Sequence, residues 1–334
     1  MAASTVLVTG GAGYIGSHAA KALKAAGYRV VIFDDLSAGH RQAALDAPLV
    51  VGDIRDVDAV RRAIRQSGAA AVMHFAAWLS VPDSVRDPLG YYRNNVQGAL
   101  ATLEAMAHEN CRQFVFSSTC AVYGEPVETP LRESHPTNPI NAYGQTKLAV
   151  EHALPHVERA YGIRFVALRY FNAAGADPDG ELGEDHSPEI HVIPRALGAA
   201  AAGTPIEIFG DDYPTPDGTC LRDYVHVTDL ADAHVRALQR LESGGASATY
   251  NVGTERPSSV RDVIAAVERV TGRTVERRIA PRRAGDPAVL YASAGKIREE
   301  LGWEPRRPAL DAIVADAWKW HSSHPAGYDG AARV

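Results

Sequence analysis

The chain has little from which to build a disulfide framework. Its 334 residues hold only three cysteines, Cys111, Cys120 and Cys220. That odd set has no metal-ligand spacing; it reads as free thiols in a reducing compartment, and no metal is expected. Positive charge is not in surplus either: 34 Lys+Arg against 40 Asp+Glu leave a net −6. Nothing global therefore suits nucleic acid or an anionic membrane surface. No apolar run approaches the roughly 20 residues that span a bilayer. The first residues pass straight into Thr5-Val6-Leu7-Val8 without a charged stretch and cleavable apolar segment, so no secretory signal is expected. Internal repeats and low-complexity blocks are absent. These absences together leave a cytoplasmic protein as the expectation.

What remains is ordinary globular material, 46% hydrophobic and 22% charged. The length fits one large α/β domain with a smaller one, or two of medium size. Short apolar runs rich in β-branched residues fall at Val6–Val8, Val30–Phe33, Leu49–Val51, Ala71–Phe75, Phe114–Ser117 and Phe165–Leu168. Between them lie helix-like stretches at Ile15–Ala26, Val57–Gln66, Gly98–Asn110 and Ala142–Tyr161. Continuous apolar strands alternating with helices predict a doubly wound parallel sheet, a Rossmann-type α/β fold, with ligands at the carboxyl ends of its strands.

After Asn172 the texture changes. Residues 172–220 are rich in Gly, Pro, Asp and His around one helical stretch near Ile193–Ala202, which suggests a substrate-facing insertion. Arg222–Leu241 returns to a strand–helix pattern. The expected division is a cofactor domain over 1–171, rejoined by part of 222–250, and a smaller mixed α/β substrate domain over most of 172–334. Residues beyond about Ser322 read as a mobile tail. Arg277, Arg278, Arg282 and Arg283 form a local basic cluster that suits either a phosphate ligand or a solvated face.

Thr9-Gly10-Gly11-Ala12-Gly13-Tyr14-Ile15-Gly16 follows the first strand and opens a helix. Glycine there permits a tight turn and lets backbone N–H groups approach a pyrophosphate, with the helix N-terminus adding partial positive charge. The second strand ends in Phe33-Asp34-Asp35, where Asp34 can accept from an adenosine ribose and repel a 2′-phosphate, favouring NAD over NADP. Gly52-Asp53-Ile54 closes the third strand beside the expected adenine site.

Tyr143-x-x-x-Lys147 begins a helix, and residues at i and i+4 share a face. A nearby ammonium and a positive nicotinamide ring would both favour the phenolate, drawing a phenol from its usual pKa near 10 toward neutrality. Thr119 closes the preceding strand and offers a hydroxyl to the same reacting oxygen.

The set Gly10-x-x-Gly13-x-x-Gly16, Asn94-Asn95-Val96, Ser117-Ser118-Thr119 and Tyr143-x-x-x-Lys147 resembles the extended short-chain dehydrogenase/reductase superfamily. Arg169-Tyr-Phe-Asn172, the run Ile208 to Thr219, Arg222-Asp-Tyr-Val-His226 and Arg282-Arg-Ala-Gly-Asp286 narrow the resemblance to the UDP-glucose 4-epimerases, from about residue 4 to Trp303. That resemblance implies an isomerase that inverts C4 of UDP-hexoses through bound NAD. Tyr143 would be the base, assisted by Lys147 and Thr119. Gly10, Gly13, Tyr14, Ile15, Gly16, Asp34, Asp53, Ile54, Phe75, Ala76, Asn94, Tyr143 and Lys147 would contact NAD. Thr119, Tyr143, Asn172, His191, Phe209, Arg222, Tyr224, Arg283, Asp286 and Leu290 would hold the UDP-sugar.

Three departures stand out. Thr119 replaces a serine common in the family, His191 an asparagine and Leu79 a lysine. Leu290, of intermediate size beside the sugar's 2-substituent, implies some activity on UDP-N-acetylhexosamines. An internal Arg222–Asp223 ion pair competes with a ligand role for Arg222. A 4,6-dehydratase would need an acid–base pair after Thr119, where Cys120-Ala121 stand instead. A simple reductase, an epimerase for another UDP-sugar and a non-catalytic NAD- or UDP-sugar sensor complete the alternatives. The resemblance also implies a homodimer, through helices near Gly98–Asn110 and Ala142–Tyr161.

Overall fold

The computed structural model describes residues 4–283 and 286–330. Six strands alternate with helices through the first half: β1 (Thr5–Thr9), β2 (Arg29–Asp34), β3 (Leu49–Val51), β4 (Ala71–His74), β5 (Gln113–Thr119) and β6 (Arg164–Tyr170). Then come β7 (Asn172–Ala174), β8 (Ile206–Phe209), β9 (Leu221–His226), β10 (Ala248–Val252), β11 (Pro257–Ser259), β12 (Arg277–Ala280) and β13 (Val289–Leu290). The helices are α1 (Tyr14–Ala25), α2 (Val57–Ser67), α3 (Val81–Arg86), α4 (Pro88–Tyr91), α5 (Gly98–His108) and α6 (Ala142–Tyr161). They continue with α7 (Val192–Ala202), α8 (Val227–Glu242), α9 (Val260–Thr271), α10 (Gly295–Leu301) and α11 (Leu310–Ser323).

Seven parallel strands form the main sheet in the order β10-β6-β5-β4-β1-β2-β3. Successive residues of β1 serve opposite faces, as a period of two requires. Val6 and Val8 pack with Leu23 of α1 and Leu230 and Leu238 of α8. Leu7 packs on the other side with Val60 of α2, Leu103 of α5 and Leu154 of α6. Burial on both faces is why these strands are apolar without alternation. Between β1 and β4 the order reverses, and this switch point opens a crevice at the carboxyl ends.

The second half is divided between two bodies of structure. β10 joins the main sheet beside β6, and α8 packs against α1. β9 does not join it: β9 pairs with β7, β11 and β13 in a small separate sheet. Residues 172–220 carry more regular structure than an insertion of loops, because β7, α7 and β8 lie within them. α7, α9 and α11 share a third apolar core around Leu197, Val263 and Ile313. The expected mobile tail is corrected through residue 330. Tyr328 is buried, its ring lies 5.2 Å from that of Trp320, and its backbone N–H donates to Asp185 at 2.9 Å.

A buried polar network fastens α6 to the sheet. Glu151 of α6 takes Arg169 of β6 in a two-pronged ion pair and accepts from Ser118 of β5 at 2.5 Å. Arg169 also donates to the Tyr123 hydroxyl, which in turn donates to Asn251 of β10. This ties the helix bearing Tyr143 and Lys147 to three strands.

Candidate active site

Twenty-one of the expected site residues line one cleft of about 1020 Å³ that runs over the switch point to the small sheet. Gly10 takes φ +71°, and a Cβ there would fall 2.4 Å from Ala76 N. Gly13 differs: a Cβ would meet nothing closer than Gly10 O at 3.4 Å. Protein packing therefore leaves space beside Gly13 at the start of α1, which suits a pyrophosphate at a helix N-terminus. Asp34 accepts from Ala12 N at 3.0 Å and Leu36 N at 2.9 Å, which ties the end of β2 to the glycine turn. Burial pushes its carboxyl above the ordinary aspartate range, and those two N–H groups oppose the shift.

Asp53 stands apart from the other expected cofactor contacts. It does not line the cleft, and its carboxylate accepts from the Arg55 backbone and guanidinium at 2.5–2.9 Å. The neighbours Gly52 and Ile54 reach the cleft in its place. Tyr14 lines the cleft while its hydroxyl donates to Gly175 O at 2.7 Å. Asn95 accepts from Trp78 N and donates to Thr146, holding the loop after β4 against α6.

At the end of β5, Lys147 donates to Ser117 O at 2.8 Å and sits 5.2 Å from the centre of the Phe116 ring. The Ser117 hydroxyl meets that of Tyr170. Burial lowers the Lys147 ammonium to about 7. Burial raises the Tyr143 phenol well above its usual value; Tyr170 adds to this, and the Thr119 hydroxyl opposes it. The protein alone thus holds Tyr143 as a neutral phenol. Turning it into a base requires added positive charge in the cleft.

The small sheet supplies the opposite wall. Asn172 of β7 stands in register with Tyr224 of β9, and Leu290 of β13 with Arg222. Alternation along β9 sends Arg222 and Tyr224 to the cleft and Asp223 inward. The competing reading, an Arg222–Asp223 pair, does not hold. Asp223 is fully buried and accepts from Thr254, Glu255 and Ala292, whereas Arg222 is paired with Asp286. Arg283 lies 3.8 Å from the centre of the Phe209 ring and has no carboxylate partner among the described residues. Burial lowers its pKa, and the neighbouring Arg195 adds to the shift. The basic cluster itself divides: Arg277 pairs with Glu268, Arg282 with Asp212, and only Arg283 of the four lines the cleft.

His191 caps α7 and lies in a cluster with Glu184, His186 and Glu189. Burial disfavours its charge, but Glu184 and Glu189 outweigh burial and push it up to about 10. Sequence reading missed Arg195, Glu184, His186 and Glu189, all of which line the cleft. The spacing Glu-x-His-x-x-Glu-x-His was visible in residues 184–191; Arg195 left no signal beyond a charge on an otherwise apolar helix.

The sequence profile of the NAD dependent epimerase/dehydratase family matches residues 6–253. A UDP-glucose 4-epimerase of Lacticaseibacillus casei is 48% identical over 97% of this chain and 98% of its own. The solved UDP-glucose 4-epimerase of Brucella ovis in complex with NAD superposes with a TM-score of 0.92 at 49% identity, covering 95% of this chain and 98% of that one. The Stenotrophomonas maltophila enzyme, solved with NAD and formylated UDP-arabinopyranose, gives 0.93 at 40% identity over 96% and 99% of the two chains. With a glycine turn open at Gly13 and Tyr143 and Lys147 at the switch point, this chain belongs to the NAD dependent epimerase/dehydratase family.

Proposed function

We propose that the chain interconverts UDP-galactose and UDP-glucose by inverting C4 through a transient 4-keto sugar. One observation carries the reading: Tyr143, Lys147 and Thr119 share a single cleft with the open glycine turn and with Arg222, Arg283 and Asp286. When bound, NAD would supply reversible hydride acceptance at C4 and so would be regenerated in each cycle. Gly10, Gly13, Gly16 and Asp34 would hold it.

Tyr143 Oη takes the proton of the C4 hydroxyl, while the Thr119 hydroxyl orients the same oxygen. Lys147, held by Ser117 O, stands on the same helix face and stabilises the phenolate. Arg283 and Arg222 offer planar forks to the diphosphate, and Asp286 accepts from the uridine ribose. Anchoring by UDP retains the reactive ketone while the sugar turns to present its other face.

The test is purified protein with UDP-galactose and no added cofactor, followed by proton NMR. Appearance of UDP-glucose supports both the reaction and a retained NAD. No turnover, even after NAD is added, refutes this substrate pair and moves the reading to another UDP-sugar or to a non-catalytic sensor. Leu290, half-buried in the wall, favours a second substrate because an aromatic there would narrow the cleft further. We infer activity on UDP-N-acetylglucosamine; failure to form UDP-N-acetylgalactosamine while UDP-galactose turns over would overturn it.

We further infer a homodimer. Leu100 of α5 and Tyr92 just before it leave 42% of their surface exposed, an apolar face for a second copy. Sedimentation as a monomer at micromolar concentration would contradict this. Three free, buried cysteines support a cytoplasmic setting. Among the described residues no helix is long and apolar enough to cross a membrane.

A further inference from the structure

Between β7 and α7 the chain folds Glu184, His186, Glu189 and His191 so that one donor atom from each lies within 4.8 Å of the others. We propose that these four side chains form a binding site for one divalent transition ion of the zinc class at the lip of the cleft. This goes beyond the epimerase reading and does not depend on it.

The donors converge and satisfy one another only in part: His191 Nδ1 meets Glu189 Oε1 at 3.1 Å, and that oxygen also accepts from the backbone N–H groups of Ile190 and His191. Glu184 Oε1 lies 2.6 Å from His191 Nδ1 and 3.2 Å from His186 Nδ1, close charged contacts. Glu184 is 4% exposed, and both its Oε1 and His186 Nδ1 are buried without a hydrogen-bond partner. A cation at the common centre satisfies both atoms.

The spacing fits. Donors at 2.0–2.2 Å from one tetrahedral zinc lie roughly 3.3–3.6 Å apart. His186 Nδ1 is 3.6 Å from Glu189 Oε2, and His191 Nδ1 is 3.1 Å from Glu189 Oε1. The 3.1 and 3.2 Å contacts must open slightly and the 2.6 Å contact by up to about 1 Å. Two imidazoles with two carboxylates suit zinc and its neighbours, whereas magnesium and calcium take oxygen donors.

A second cluster on the same chain provides the contrast. Asp177, Asp179 and Glu181 also converge, but Lys21 Nζ already occupies their centre at 2.7–3.0 Å. No lysine or arginine fills the Glu184 cluster among the described residues. The cysteine-based expectation of no metal could not register a site built from histidine and glutamate. An ion here would brace the loop against α1, since the His186 ring meets that of Tyr14 edge-on at 6.4 Å.

The test uses the full chain with its native cofactor, stripped with a chelator and titrated with Co²⁺, whose tetrahedral complexes absorb strongly in the visible. We expect that absorption to saturate at one ion per chain and to vanish when Zn²⁺ is added. His186→Ala should weaken binding at least tenfold, in the range of about 10–100-fold seen when a zinc site loses supporting groups. Glu189→Gln reads the same loss with side-chain volume preserved, and Asp179→Asn should change nothing. No tetrahedral spectrum, unchanged affinity in both cluster variants, or loss in Asp179→Asn would overturn the proposal. Turnover of UDP-galactose by the stripped protein bears only on the epimerase reading, so the two can fail separately.

Discussion

On the wall proposed to hold the cofactor, each side chain is delivered by a strand of one sheet or a helix packed on it: the glycine turn after β1, Asp34 at the end of β2, Thr119 at the end of β5, and Tyr143 with Lys147 on α6. On the wall proposed to hold the sugar nucleotide, Asn172, Phe209, Arg222, Arg283, Asp286 and Leu290 come from separate stretches and lean on one another. Their histidines differ in the same way. His18, His74 and His234, on α1, β4 and α8, are buried without a carboxylate partner, and burial lowers them to about 4, 3 and 4. His186 and His191 sit against Glu184 and Glu189. The contrast teaches that a parallel sheet places chemistry by geometry alone, whereas the opposite wall needs paired charges to position its groups.

If that contrast holds, damage on the two sides has different kinetic signatures. Tyr143→Phe should lower kcat by about 10³–10⁴-fold, the upper end of what a positioned base contributes. Binding of UDP-galactose and NAD, read by calorimetry, should barely change; undiminished turnover would remove Tyr143 as the base.

The lone histidines predict acid instability of the cofactor half. Each has a folded pKa below its unfolded value near 6.5, so the unfolded chain binds more protons and stability falls as pH drops below 6.5. Between pH 6.5 and 5.5 each costs about 1 kcal/mol, about 3 kcal/mol for the three if additive. Urea unfolding at the two pH values measures this. A flat profile would mean that other groups compensate.

Arg283→Leu should act on the other wall. It removes a charge-assisted contact worth about 1.5–3 kcal/mol, raising KM for UDP-galactose about 10–100-fold with little change in kcat. A fall in kcat with KM unchanged would place Arg283 in the chemistry instead. The smallest effect belongs to Asp53→Asn. Its carboxylate is held by Arg55 in a partly exposed pair, so stability should fall by less than about 1 kcal/mol. NAD affinity, read by cofactor fluorescence, should stay within about twofold; a larger loss would show Asp53 reaching the cofactor after all.

Much of this architecture was legible in residue order. The apolar runs of β1 and β5, buried on both faces, announce a parallel sheet, and α6 begins and ends where the spacing from Ala142 to Tyr161 predicts. Asn141 caps its start by accepting from Gly144 N, and Gly162 ends it in the left-handed region, both local signals. β9 was harder. Its strand–helix pattern looks like another unit of the main sheet, yet β7, β11 and β13 claim it. Tyr328 misled for a related reason: an isolated aromatic near the chain end carries no period, and only Trp320 and Asp185 give it a place.

The sequence by itself determined the parallel sheet, the glycine turn and the phenol–ammonium pair on one helix face, because backbone periodicities of two and 3.6 residues translate spacing directly into direction. Only the tertiary structure decided that Arg222 pairs with Asp286 rather than its neighbour Asp223, that Asp53 turns back to Arg55, and that two glutamates and two histidines meet at one point. Those choices depend on distances across space between loops and strands, and the strength of a charge or hydrogen bond is set by that distance and by burial, neither of which residue spacing encodes.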